Sequence, residues 1–238
     1  MNNLSDSSDG GREEALQESS VGRAPGVTSN APPLSRKERR HRDTRREIFE
    51  AARQLLLETD PDELTLRQVA RRAGFSPASL YTYFSSRDEL LAALYADSLI
   101  RLSDHMGRVS AELPPDRRVV ELGMAYMDFA RENPVDLRCI LLMDRRAIST
   151  EADRSDGLEM MARRTIQEGV ESGAFANTSD LTPAEMTYGI WALVHGMASL
   201  SIFNVSEATN HLVSAAPRRV LEAFVARLRA PAGETRAK

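Results

Sequence analysis

The chain has 238 residues, of which 42% are hydrophobic and 28% charged, with a formal net charge of −4. These are ordinary values for a soluble globular protein of one or two domains. Its one cysteine, Cys139, excludes an internal disulfide and fits a reducing cytoplasm. No apolar run approaches the ~20 residues of a transmembrane helix, and the polar, acidic amino terminus does not read as a secretory signal.

Residues 1–35 are rich in Ser, Gly, Asp, Glu and Pro and carry few large apolar side chains. Burial cannot offset chain entropy there, so a disordered, solvated tail is expected. Ser35 and Glu38 have capping-box spacing and should start a first helix. Arg36, Lys37, Arg39, Arg40, Arg42, Arg45 and Arg46 follow at once. Cations in a first turn oppose the helix dipole. Phosphates lying alongside would give them a reason; a merely solvated basic face is the alternative. Ile48, Ala51, Ala52, Leu55 and Leu56 then form an apolar stripe.

Residues 65–87 predict two short helices joined by a tight turn. Thr65 and Gln68 make a second capping box. Leu66, Val69, Ala70 and Ala73 give one apolar stripe, and Gly74 follows where a left-handed residue closes a helix. Ser76 caps the next helix, with Pro77 at its first position. Leu80 and Phe84 should point inward, leaving Ser79, Tyr81, Thr82 and Tyr83 outward, a surface suited to base edges and phosphate oxygens. From Arg36 to Arg87 there are twelve Lys/Arg against eight Asp/Glu, a balance of +4 that leaves −8 elsewhere. A basic reading head on an acidic remainder gives this asymmetry.

This stretch is a helix-turn-helix. Val69-Ala70, Ala73-Gly74, Ser76, the run Leu80-Tyr81-Thr82-Tyr83-Phe84 and then Ser86-Arg87-Asp88-Glu89-Leu90-Leu91 resemble the TetR family of one-component transcriptional regulators, over roughly residues 45–95. The resemblance implies DNA contacts for Thr65 and Arg67 at the start of the second helix. It places Ser76, Pro77, Ala78 and Ser79 at the leading end of the recognition helix, in the major groove. Tyr81 and Tyr83 match the family's phosphate-binding aromatics, and Arg87 stands where many members have a phosphate-clamping lysine. Arg45 and Thr82 complete the expected DNA-binding set; Arg71 and Arg72 are expected to be solvated or to touch phosphate.

Ser86 and Glu89 should begin a fourth helix with another capping box, running to about Leu113 before Pro114-Pro115 and linking the head to a second domain. Beyond it only helices are expected, near 116–132, 135–146, 152–172, 183–203 and 217–229, with 204–216 either a loop or a short helix. Asn133-Pro134 breaks the first two, Gly173 ends the third, and Thr182, Pro183 and Glu185 start the fourth.

The 183–203 segment is apolar on more than one side and must be covered on both faces. The family resemblance implies that it pairs with the last helix across a two-fold dimer, with Ile190, Leu193, Met197, Leu200, Leu221, Phe224, Val225 and Leu228 in the interface. Trp191 and His195 resemble the W-x-x-x-H-G signature of one carboxy-terminal subgroup and share a helix face. His195 reads either as an effector ligand or as a satisfied core residue. Met124, Met127, Met143, Met160, Met161 and Met186, with Tyr126, Phe129 and Tyr188, are candidates to line an adaptable apolar cavity, or are plain core. Met124, Met127, Met161, Tyr126, Trp191 and His195 are the six candidate ligand residues.

No HExxH, P-loop, GxGxxG or GxSxG pattern occurs, and the four histidines are scattered, so neither enzyme, metal nor cofactor is expected. The resulting expectation is an all-α protein. Residues 1–35 form a tail, 36–90 a three-helix DNA-binding domain with its helix-turn-helix, 91–230 a helical effector-binding and dimerisation domain, and 231–238 a second disordered tail. It would be a cytoplasmic homodimer, nucleoid-associated when bound to duplex DNA, acting as a repressor on a pseudo-palindromic operator and released by a small-molecule effector. A helical protein-interaction scaffold without DNA binding is the competing reading.

Overall fold

The computed structural model describes residues 35–142, 155–176, 181–202 and 207–229. The two expected tails, apart from Ser35, lie outside this range, as do Met143 and the far end of the helix anticipated to reach residue 146. The described residues form ten α-helices and one 3-10 turn.

Local chemistry sets the first helix boundaries. The Ser35 hydroxyl accepts from the Glu38 N–H and the Glu38 carboxylate from the Ser35 N–H, opening α1 (Arg36–Glu58). A 3-10 turn at Pro61–Glu63, not read in the sequence, precedes α2 (Leu66–Arg72), which Thr65 and Gln68 cap reciprocally. Gly74, at φ +74°, closes α2, and the Phe75 N–H returns to the Ala70 carbonyl at 2.8 Å. This is the six-to-one bond of a Schellman ending. α3 (Pro77–Tyr81) is only five residues long, so Tyr83 lies beyond its end rather than on its exposed side.

α4 (Arg87–Met106) stops about two turns short of the expected Leu113. Gly107, poor in a helix interior, lets successive N–H groups of Arg108 and Val109 turn back three residues. Its start also differs: Ser86 accepts from the Glu89 N–H, but the Glu89 carboxylate takes the N–H and hydroxyl of Ser85 instead. Pro115 opens α5 (Pro115–Glu132), and Asn133 ends it before α6 (Pro134–Leu142). α7 (Ser155–Glu171), α8 (Pro183–Ile202), α9 (Glu207–Ala215) and α10 (Pro217–Leu228) complete the chain, so the ambiguous 204–216 segment contains a helix. Gly173 at φ +76° ends α7, letting Phe175 fold back onto Gly169, where a Cβ would stand 2.1 Å from the ring.

Two apolar cores result. The head core gathers Ile48, Leu55, Val69, Leu80, Phe84, Leu90 and Leu94 from α1–α4. It also takes Val135 and Cys139 from α6, far along the chain. The body core gathers α4's Leu102 and Met106 with α5, α7, α8 and α10 around Tyr126, Phe129, Ile190 and Leu221. Burial, and then the Asp136 charge beside it, push the Cys139 thiol up to about 12, so it acts as a core side chain.

A charged seam joins the two cores. Asp136 on α6 is 2% exposed. One of its carboxylate oxygens accepts from Arg53 Nε of α1 at 2.8 Å and from the Ser98 hydroxyl of α4 at 2.7 Å; the other meets Arg101 at 2.7 Å. Asp97 takes a second nitrogen of Arg53. Burial opposes the Arg53 charge, but Asp136 and Asp97 outweigh it and hold the guanidinium above its ordinary value. A buried charge is tolerable only when paired in this way.

Candidate nucleic-acid interface and ligand cavity

The recognition helix presents polar groups because its two large apolar residues are used as anchors. Leu80 and Phe84 are fully enclosed, which fixes α3 against the head. Ser76, Pro77, Ala78 and Ser79 all lie on the surface at its leading end. The Ser76 hydroxyl caps the Ser79 N–H and touches the Ser79 hydroxyl at 2.8 Å. Tyr81 is 58% exposed, and the exposed Thr82 donates its hydroxyl proton to the Ser79 carbonyl.

Tyr83 has a different setting. It is half-buried, with its ring stacked on His41 of α1 at 4.7 Å. One turn further along α1, Arg45 lies over the Phe84 ring at 4.9 Å and the Phe49 ring at 5.6 Å. These contacts bring the cation-rich beginning of α1 beside the end of α3. Arg36, Lys37, Arg40, Arg42 and Arg46 are exposed along it.

The second helix contributes unequally. Arg67 is exposed. The Thr65 hydroxyl is engaged in its capping box, donating to Gln68 Oε1 at 2.6 Å. Arg72 makes a two-pronged pair with Glu58, while Arg71 is exposed. Arg87 is not an open phosphate clamp here: two of its nitrogens donate to the Pro61 carbonyl, and it pairs with Asp62 and Asp88 at 3.1 Å each. The unforeseen 3-10 turn supplies that carbonyl, which is why sequence spacing could not reveal the competition.

The body core encloses a cavity of about 490 Å³ between α4, α5, α6, α7 and α8. Of the six candidate ligand residues, Tyr126, Trp191 and His195 line it. Met124, Met127 and Met161 do not; they pack against the body core, which corrects the expectation of a methionine-lined wall. The wall is instead built from branched aliphatic and aromatic residues such as Leu99, Leu122, Ile140 and Val194. Trp191 stacks on His195 at 4.7 Å, and the Tyr126 hydroxyl meets His195 Nδ1 at 2.9 Å. Burial lowers the His195 pKa, so the neutral imidazole prevails at neutral pH. Burial, with the Tyr95 phenol nearby, pushes the Tyr126 phenol well above its ordinary value.

The residues expected at a dimer interface divide. Ile190, Leu221, Val225 and Leu228 are buried within the subunit and offer nothing to a partner. Helical periodicity finds an apolar stripe but not which neighbour covers it, and here α5 does. Leu193, Met197 and Phe224 are half-buried, and Leu200 is exposed. Among the described residues no cluster of His, Cys, Asp and Glu is placed to hold a metal ion, and no helix is long and apolar enough to cross a membrane.

Family comparison accounts for both halves of this arrangement. Residues 48–94 match the family described as bacterial regulatory proteins, tetR family, and residues 119–228 match the tetracyclin repressor-like C-terminal domain. The chain belongs to the TetR family. It is a DNA-binding transcriptional regulator, and its relatives are regulators rather than enzymes. The HTH-type transcriptional regulator Rv1816 of Mycobacterium tuberculosis is 26% identical over 197 residues, covering 69% of this chain and 84% of the relative. The uncharacterised regulator YobS of Bacillus subtilis is also 26% identical, over 66% of this chain and 78% of its own. Among solved structures, a TetR transcription regulator from Haloarcula marismortui matches with a TM-score of 0.65 at 22% identity, over 79% of this chain and 98% of that one. That likeness speaks for the fold of this TetR-family protein: an amino-terminal helix-turn-helix followed by a helical body.

Proposed function

We propose that this TetR-family protein is a cytoplasmic repressor. Two copies bind a pseudo-palindromic operator, and a small molecule filling the cavity releases them. The observation that carries this reading is a shared wall. α4 and α6 both line the cavity, through Leu99 and Leu102 and through Ile140 and Leu141. Both also enter the head core, through Leu90 and Leu94 and through Val135 and Cys139. A ligand that moves either helix therefore moves the head. To act as a switch it must bind the released arrangement more tightly than the DNA-bound one.

The DNA-reading set is the leading end of α3 with Tyr81, Thr82 and Tyr83, flanked by Arg67 and the cations of α1. Pairing runs through the outer faces of α8 and α10. Ala192, Gly196, Leu200 and Val220 are exposed there, Leu193, Met197 and Phe224 are half-buried, and open space surrounds the point where a Gly196 Cβ would stand. A two-fold dimer would read half-sites about 34–36 Å apart, or a multiple of that.

The test is selection of bound duplex fragments from the protein's own genome, followed by salt titration of the selected operator and sedimentation of the complex. The expected result is two subunits per operator and a log–log salt slope of several units, since each neutralised phosphate contributes about −0.9. A single subunit per operator, or no retained duplex, would overturn the proposal.

A further inference from the structure

The cavity wall is mostly apolar, and of its three buried polar side chains, Tyr95, Tyr126 and Thr187, one lacks a hydrogen-bond partner among the described residues. Tyr95 of α4 is 7% exposed and lines the cavity. Among the described residues its hydroxyl makes no hydrogen bond. No fully buried side-chain oxygen or nitrogen among these residues lacks a partner, so the Tyr95 oxygen keeps access to open space and is not sealed in packed wall. Thr187, another hydroxyl of the wall, donates to the Pro183 carbonyl, and Tyr126 is bonded to His195. Tyr188, the wall's third phenol, is 68% exposed and meets solvent, so Tyr95 is the buried phenol left for an occupant to satisfy.

Charge is as informative. Among the described residues, Glu159 and Arg163 are the charged side chains of the wall. They pair with each other at 2.8 Å, and each is 61% exposed. That pair sits in solvent and is neutral overall, so it offers little to a charged ligand. Deeper in, His195 is held neutral by burial. An entering carboxylate or ammonium would give up its hydration and find no fixed opposite charge among the described residues in exchange.

Resting on the reading of this cavity as the effector site, we propose that its ligand is an uncharged, largely apolar molecule whose single carbonyl or hydroxyl oxygen bonds the Tyr95 phenol. The apolar body lies against α5 and α8, and the oxygen replaces the water that otherwise solvates Tyr95. Specificity then comes from one hydrogen bond in an apolar wall, where an unmatched polar group is penalised more than in water.

Trp191, the only tryptophan of the chain, lines the cavity and reports occupancy by its fluorescence. The full-length protein is titrated with four probes of equal chain length: 2-decanone, decane, decanoate and decylamine. The ketone is expected to bind about tenfold or more tightly than either ion, since neither finds a counter-charge. It should also bind several-fold more tightly than decane. Tyr95→Phe should remove the advantage of ketone over decane while leaving decane binding and the thermal midpoint unchanged. Decanoate or decylamine binding as tightly as the ketone would overturn the inference and leave the effector cavity standing. So would a Tyr95→Phe variant that keeps full preference for the ketone. If none of the four probes binds, the effector-site reading itself fails and takes this inference with it.

Discussion

The head and the body are built from the same kinds of apolar residue but to different ends. In the head, Ile48, Val69, Leu80 and Leu90 are wholly enclosed by one another and hold the recognition helix still. In the body, Leu99, Leu122 and Ile190 are also buried, yet they back onto a hollow of about 490 Å³. A reading head needs one geometry, and close packing supplies it. A sensor must leave binding free energy for its ligand, so its core stays incomplete. The two meet at a buried carboxylate, a directional joint between two non-directional cores.

Breaking that joint should be among the most damaging single changes. Asp136→Ala leaves Arg53 and Arg101 without their shared partner. Removing one member of a buried pair costs about 3–5 kcal/mol. The lower end, about 3 kcal/mol, is expected because Asp97 still pairs with Arg53 and Arg101 is partly solvated. Urea unfolding measures it; a loss under about 1 kcal/mol would show that the seam adds little beyond apolar contact.

The packing contrast can be sharpened by the same truncation on either side. Leu90→Ala in the head should cost within the usual 2–5 kcal/mol of a Leu→Ala change in a packed core. Leu122→Ala, at the cavity wall, removes a side chain that lacks partners on one side and so loses fewer contacts. A difference of about 1 kcal/mol or more between the two is expected from their unfolding midpoints. Equal losses would mean that the hollow closes in the unliganded protein.

Surface chemistry should separate from both. Tyr81→Ala removes an exposed ring, so stability should change by no more than about 0.5 kcal/mol. Operator affinity in a mobility-shift titration should fall about tenfold, or about 1.4 kcal/mol. Unchanged affinity would remove Tyr81 from the reading set.

Local chemistry was the legible part of the molecule. The boxes at Ser35, Thr65 and Thr182, the left-handed Gly74 and Gly173, and the Pro77 start all act within a few residues, so their order in the chain is enough. The joint at Asp136 spans 83 residues to Arg53, and no local pattern encodes it. One signal was present: a lone carboxylate amid Val135, Leu137, Cys139 and Ile140 must find a partner if that helix is buried. The division of the expected interface residues has the same origin. Ile190 and Leu221 follow a helical stripe, but period alone does not distinguish a subunit's own α5 from a second copy. Arg87 was lost to a carbonyl in a turn too short to show any period.

The smallest expected effect concerns acid. His195 sits against the cavity with its pKa lowered by burial, so the unfolded chain takes up its proton first as pH falls. Stability from this group is full above the unfolded value of about 6.5 and declines as pH drops from there through the lower folded value. Glu168 and Glu121 act in the same direction but lower on the scale. Their partners, Arg118 and Arg164 for the first and Arg218 for the second, hold them below 4.5, so their share is lost only below that range. The two windows are therefore separable. His195→Gln should flatten the stability profile just below neutrality and leave the steeper limb in the carboxylate range untouched. A variant and parent that decline in parallel across the upper window would show that His195 keeps its ordinary affinity for a proton, open to water through the cavity mouth.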